Sequence, residues 1–278
     1  MIPPTSIDGT DITGATIDGT DVQEITVDGD VVFSASTPGN FDLSTFSNTP
    51  VNTFSTDDSR PFGFDINPSG TKMFECGVFG GLASYNISTP FDISTASGVQ
   101  NTFNPPSGSH REILFDDTGD TFIECGGGTR QWSTSSPYNI SSPTLLHDID
   151  NTQLRAGEAL TWNDDGTLLF SASSGGGQNT NTLATPYDIS SVTGFTEITT
   201  GLDINGITFN NDGTLMHWGL QNGEVRQYTL STAFDMSSRS LDFTFNPPLS
   251  NLQSIRFGDN GNVFYTIDEG VDEIHEYR

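Results

Sequence analysis

The chain has 278 residues, and 36 acidic against 9 basic side chains give it a formal net charge of −27. That balance excludes nucleic acid as a natural partner, because phosphates would be repelled. No apolar run approaches the roughly 18–20 residues of a helical membrane span, and Gly 30 and Pro 14 with abundant Ser, Thr and Asn point to short strands and turns.

The start, Met1-Ile2-Pro3-Pro4, has neither a basic n-region nor an apolar h-region, so no secretory signal is expected. Residues 1–36 carry a ten-residue echo: SIDGTDI, TIDGTDV and TVDGDVV, with Ile7, Ile17 and Val27 in register. Asp-Gly between β-branched residues is a hairpin-turn signature. The segment therefore predicts a small β-arm, too short to bury a core alone, that docks on a partner or on copies of itself. Ser34 to Gly39 (SASTPG) reads as a linker.

Two markers then repeat along residues 37–278. One is an aromatic, Asp or Asn, an aliphatic and Ser: NFDLS (40–44), PFDIS (90–94), PYNIS (137–141), PYDIS (186–190) and AFDMS (233–237). The other is two apolar strands around a polar turn, whose glycines are Gly70, Gly119, Gly166, Gly213 and Gly261, a period of 47 to 49. A third strand ends in Tyr85, Trp132, Leu183, Tyr228 or Tyr277, and a weaker fourth follows the aromatic marker. Four short strands per repeat of this length make one propeller blade. The aromatic marker comes first, at Phe41, and the chain stops at Arg278, where a further copy is due. Residues 40–56 are therefore expected to supply the missing outer strand of the last blade, removing the open edge of a linear array. The expected fold is all-β, a five-bladed β-propeller closed by an N-terminal strand and preceded by a short β-hairpin arm.

Counting back from each turn glycine, the fourth position is Ile66, Phe115, Trp162, Phe209 and Phe257, and the sixth is Phe64, Ile113, Leu160, Ile207 and Ile255. Two residues apart on a strand, these share one face and predict the inter-blade core. Eight residues back lie Phe62, Arg111, Glu158, Asn205 and Gln253, with Arg60, His110, Glu112 and Arg155 nearby. Scarce basic side chains thus gather where the inner strands enter the ring. Arg111, Glu158, Asn205, Gln253 and Arg155 are the candidate ligand- or receptor-binding residues of a channel mouth; a hydrated channel with satisfied polar groups is the alternative.

Other constellations carry less. The turns DDTGD (116–120), NDDGT (163–167) and NNDGT (210–214) hold the Asp and Asn that a tight turn before Gly requires, and they lack the downstream acidic ligand of a calcium loop. His110, His147, His217 and His275 show no metal-ligand spacing, and His217 is expected to be a packed, hydrogen-bonded core residue. Cys76 and Cys125 occupy equivalent places in successive repeats and read as small buried residues, too far apart for a disulfide. No metal site, catalytic residue or cofactor is expected, structural calcium, magnesium or sodium aside. Glu75 and Glu124 form the one carboxylate pair that a glycosidase reading would need.

Of the nine basic residues only Lys72 is a lysine, and Asp outnumbers Glu 26 to 10. Such surfaces resemble those of proteins from extreme halophiles. The arm IDGTDVQEITVDGDVVFSA is similar to N-terminal segments of virion proteins from tailed viruses of haloarchaea. The repeat GTKMF…YNISTPFDISTAS resembles propeller repeats of tail-fibre and particle-surface proteins of phages and archaeal viruses; the third repeat departs from it at Leu183. The resemblance implies a non-enzymatic virion surface protein, a capsid turret or decoration or a tail fibre. It would be assembled in the host cytoplasm and held as a homo-oligomer to other virion proteins through residues 1–36. Its partner outside the particle would be a host surface glycoprotein or glycan. A glycan-binding or glycan-hydrolysing propeller and a cellular scaffold propeller are the alternatives.

Overall fold

The computed structural model describes residues 24–27, 30–34, 39–106, 109–126, 128–149, 154, 157–173 and 175–278, the first two segments as backbone only. The chain divides into two compact units, residues 1–39 and 40–278. In the first, β1 (Glu24–Val27) and β2 (Asp30–Ser34) pair antiparallel with a register shift after Ile25. The earlier copies of the arm echo lie outside the described residues, and so does Arg155.

The second unit is a five-bladed β-propeller. From centre to rim, the first blade is β4 (Pro61–Ile66), β5 (Lys72–Gly77), β6 (Leu82–Asn86) and β7 (Asn101–Phe103). The second is β8 (His110–Phe115), β9 (Thr121–Gly126), β10 (Thr129–Ser133) and β11 (Thr144–Ile149). The third is β12 (Ala159–Trp162), β13 (Leu168–Ala172), β14 (Gly177–Leu183) and β15 (Val192–Thr199). The fourth is β16 (Ile204–Phe209), β17 (Leu215–Leu220), β18 (Val225–Leu230) and β19 (Arg239–Phe245). The fifth holds β20 (Leu252–Gly258), β21 (Val263–Asp268) and β22 (Glu273–Tyr277), and its outer strand is β3 (Asn52–Ser55). β3 pairs antiparallel with β22, from Glu273 opposite Ser55 to Glu276 opposite Asn52. The N-terminal stretch therefore closes the ring, as the offset of the two markers requires. Each inner strand also neighbours the next around the whole circle, β20 against β4 included.

The two markers are partners. Each turn glycine has φ between +66° and +82°, and a Cβ added there would come within 2.4–2.7 Å of the marker ring: Phe91 on Gly70, Tyr138 on Gly119, Tyr187 on Gly166, Phe234 on Gly213 and Phe41 on Gly261. Glycine is required twice over, by the left-handed backbone and by the ring that covers it. Phe91, Tyr138, Tyr187 and Phe234 themselves have φ near +60°, and their N–H groups each donate to the covered glycine's carbonyl at 2.9 Å. The aliphatic that follows (Leu43, Ile93, Ile140, Ile189 or Met236) is buried, at 3% exposure or less. Its N–H is bound by a neighbouring blade in three cases: Leu43 by Gln227 Oε1 at 2.7 Å, Ile93 by Glu276 Oε2 at 2.9 Å and Ile189 by Gln131 Oε1 at 3.1 Å. The marker thus covers a turn in its own blade and, in these three cases, latches onto the preceding blade of the ring.

The core lies between the blades. The sixth position before each glycine is 1% exposed or less, worth about 1.5–3 kcal/mol per side chain before entropy. The fourth position is more open, with Ile66, Trp162 and Phe257 only half-buried. At the seam Phe41 packs edge-on against Phe257 at 5.1 Å, and its carbonyl meets His217 Nε2 at 2.9 Å. Burial pulls the His217 imidazole down to about 4, so it is a neutral, packed core histidine. Cys76 and Cys125 are free and buried.

Candidate functional site

The residues expected at the channel mouth are placed there by a repeated β-bulge. Pairing skips one residue in four inner strands, leaving Phe62, Arg111, Asn205 and Gln253 without a cross-strand partner. An extra residue of this kind re-aims a side chain at a sheet end. In the third blade β12 begins two residues later than its counterparts, and Glu158 instead donates its N–H to Ala172 O at 2.7 Å.

Around the entry these side chains form a relay from blade to blade. Glu158 Oε1 lies 3.5 Å from Arg111 Nη1, and the Arg111 guanidinium sits 4.2 Å over the Phe62 ring. Arg60 approaches the same ring at 5.6 Å and donates Nε–H to Glu269 at 2.6 Å. Glu269 Oε2 accepts from Gln253 at 2.8 Å and from Asn251 at 2.6 Å, and Gln253 Oε1 accepts from Asn205 at 3.3 Å. The relay brings Arg111, Glu158, Asn205 and Gln253 into one circuit, and adds Arg60, Phe62 and Glu269 to it. Only part of it faces outward. Phe62, Asn205 and Gln253 are 5% exposed or less, whereas the side chains of Arg60, Arg111 and Glu158 are 47%, 34% and 24% exposed. The expected set is corrected accordingly: Asn205 and Gln253 support the mouth from within and do not present themselves to a ligand.

Below the mouth the channel is crossed by one side chain. The Arg256 guanidinium touches all five blades: Nη2 donates to Leu160 O at 2.9 Å and lies 3.3 Å from Glu112 Oε2, Nη1 reaches Ile207 O at 3.4 Å and Ile255 O at 3.3 Å, and Nε lies 3.8 Å from Asp65 Oδ1. Two carboxylates thus share one cation on the propeller axis. Burial pushes Glu112 up to about 7, with Arg256 opposing and Asp65 adding to the rise; burial also raises Asp65. Arg256 reaches across the ring at this level, its guanidinium held by groups on all five inner strands. Glu112 belongs to this axle, and His110 turns inward to Glu124 at 3.0 Å. Arg256 is five residues before its turn glycine, where the other blades have Asp65, Leu114, Thr161 and Thr208. Reading that position of each repeat singles out one cation beside one anion on the neighbouring inner strand.

The two glutamates a glycosidase would need lie in separate networks. Glu75 accepts from Tyr85 OH and from Asp57 N–H, and burial pushes it up to about 7. Glu124, fully buried, is held by His110 and by Arg130 at 3.0 Å. The turn carboxylates serve their turns: Asp116 accepts from the N–H groups of Gly119, Asp120 and Thr121, and Asp165 and Asp212 accept from Thr167 and Thr214.

At the turn end a cleft of about 470 Å³ is floored by Arg256, with walls that include Asp65, Asp117, Asp164, Tyr138, Trp162 and Tyr187. Burial and the crowding of Asp117, Asp165 and Asp212 push Asp164 up. Among the described residues no group of three or more His, Cys, Asp or Glu is placed to hold a metal ion.

No protein-family model and no curated protein sequence matches the chain. Among solved structures it is similar to the β-propeller domain of Cps50 (Swd1) from Myceliophteria thermophila, at 11% identity and a TM-score of 0.46, over 82% of this chain and 98% of that one.

Proposed function

We propose that this protein is a non-enzymatic surface protein of a virus particle, displaying a propeller whose mouth contacts the host cell. The observation that carries the reading is where the ring closes. Its last blade is completed by β3, from within the second unit, so the propeller owes none of its strands to residues 1–39. The arm is then free to act as a tether to other virion proteins. The resemblance of arm and repeats to virion proteins, and the charge suited to molar salt, support the setting. The mouth supports attachment because it gathers Arg60 and Arg111 in a chain with only nine basic residues.

The test is deletion of residues 1–36. The truncated chain should fold, compete with particles for adsorption to cells, and be missing from assembled particles. Incorporation of the truncated chain at the normal level would refute the tether. Failure of the isolated propeller to compete for adsorption would refute attachment.

A further inference from the structure

We propose that the Arg60–Phe62–Arg111 constellation binds an acidic saccharide, the oxyanion held between the two guanidiniums and the sugar face lying against Phe79. This rests on the reading of the mouth as the host-facing site and names the chemistry of what it takes.

Arg130, Arg226, Arg256 and Arg278 each direct two N–H-bearing nitrogens to protein acceptors. Among the described residues the side chains of Arg60 and Arg239 each hydrogen-bond through one nitrogen, Nε to Glu269 and Nη1 to Met236 O. Arg111 makes only a 3.5 Å ion pair with Glu158. Arg60 and Arg111 are set apart by being brought to one ring, at 5.6 and 4.2 Å from the Phe62 centroid, whereas Arg239 lies alone over Trp218. Phe62 is 3% exposed, so it acts as a fixed floor that holds the guanidinium planes, as cation–π contacts do. A guanidinium whose outer N–H groups face solvent matches a carboxylate or sulfate bidentately.

The second half of the site is apolar. Phe79 is 69% exposed, the largest exposure among the outlying hydrophobic residues. Its loop is pinned beside Arg60: Val78 N–H donates to Arg60 O at 3.2 Å, and Phe79 N–H donates to Asp58 Oδ2 at 3.0 Å. Asp58, itself buried, also accepts from Arg60 N–H at 2.8 Å. An exposed aromatic whose backbone is tied to the Asp58–Arg60 segment, on the same stretch of chain as the paired guanidiniums, suits a ligand that carries an oxyanion on a flat C–H face, as a uronic acid does. The chain's own negative field opposes such a ligand at long range. In molar salt that field is screened beyond about 3 Å, while contact hydrogen bonds persist. Glu158 and Glu269 are the counter-ions the ligand must displace.

The test is calorimetric titration of the full chain with a trigalacturonate, a neutral maltotriose and sodium sulfate, at fixed high chloride. Trigalacturonate should bind and maltotriose should not. Arg60→Gln and Arg111→Gln should each weaken binding tenfold or more, with the unfolding midpoint checked for each. Phe79→Ala should weaken trigalacturonate and leave sulfate unchanged. Glu158→Gln removes a competing anion and should tighten binding severalfold, an outcome no merely structural role gives. Equal binding of maltotriose, or binding unaffected by both arginine variants, would overturn the proposal. If trigalacturonate fails while the truncated propeller still blocks adsorption to cells, the ligand class falls and the attachment reading stands.

Discussion

Replacing Arg256 by Met keeps the volume of the axle and removes its charge. Arg256 is 5% exposed and its neighbours Glu112 and Asp65 share its one cation. The substitution leaves the buried Glu112 and the half-buried Asp65 without a counter-ion and takes the donor from the carbonyls of Leu160, Ile207 and Ile255. Breaking a buried ion pair from one side costs about 3–5 kcal/mol, a large share of the roughly 5–15 kcal/mol of a typical domain. Arg256→Met with Glu112→Met should recover the part of that loss that the stranded Glu112 carries, since an apolar replacement of a buried pair is close to neutral, while Asp65 and the three carbonyls stay without their donor. The pH dependence has a definite sign. Glu112 already titrates near 7 against 4.5 for the ordinary group, and loss of Arg256 raises it further. A carboxyl raised in the folded state costs stability progressively from its ordinary value of 4.5 up to its folded value and by a constant amount above that, so the wild-type cost levels off near pH 7 while the variant's goes on growing above it. Urea unfolding at constant high salt, near pH 5 and near pH 8, measures this. A variant within about 1 kcal/mol of wild type at the higher pH, or a deficit equal at both, would refute the axle.

Gly213→Ala should cost roughly 1–3 kcal/mol, because the new Cβ meets the Phe234 ring and φ is +68°; combining it with Phe234→Ala should be less than additive, and strict additivity would deny the pairing. Glu75→Gln should flatten a fall in stability between about pH 4.5 and 7, the window between the ordinary and the folded value of that carboxyl; above it the variant should be more stable by on the order of 3 kcal/mol, and an unchanged pH profile would contradict the burial argument. With a net charge of −27, the unfolding midpoint should climb as potassium chloride is raised from low to molar concentration, and full stability in low salt would remove the halophilic reading.

Blade number and closure were legible because each blade repeats two markers at fixed offsets, and the offset at Phe41 has no other use. What the markers do was not legible. Nothing in PYNIS says that Tyr138 lies on Gly119, since that contact joins residues nineteen apart through a left-handed turn. The mouth was found in part. Counting eight residues from each glycine reached Arg111, Glu158, Asn205 and Gln253, but the bulge that places them also buries Asn205 and Gln253. Glu269, which ties Arg60 to Gln253, comes from the turn between β21 and β22 and has no repeat position to reveal it. Arg256 was missed for a different reason: its partners lie in four other blades, and only ring closure brings them to one point.

The most direct test of the closed ring is a pair of truncations compared by cooperative unfolding. A chain of residues 40–278 should unfold in one transition at the midpoint of the full chain, because Phe41, Leu43 and β3 are kept. A chain of residues 58–278 loses the outer strand of the fifth blade and the ring on Gly261, and should lose the cooperative transition or shift it far down. Equal midpoints for the two would contradict closure by the N-terminal stretch.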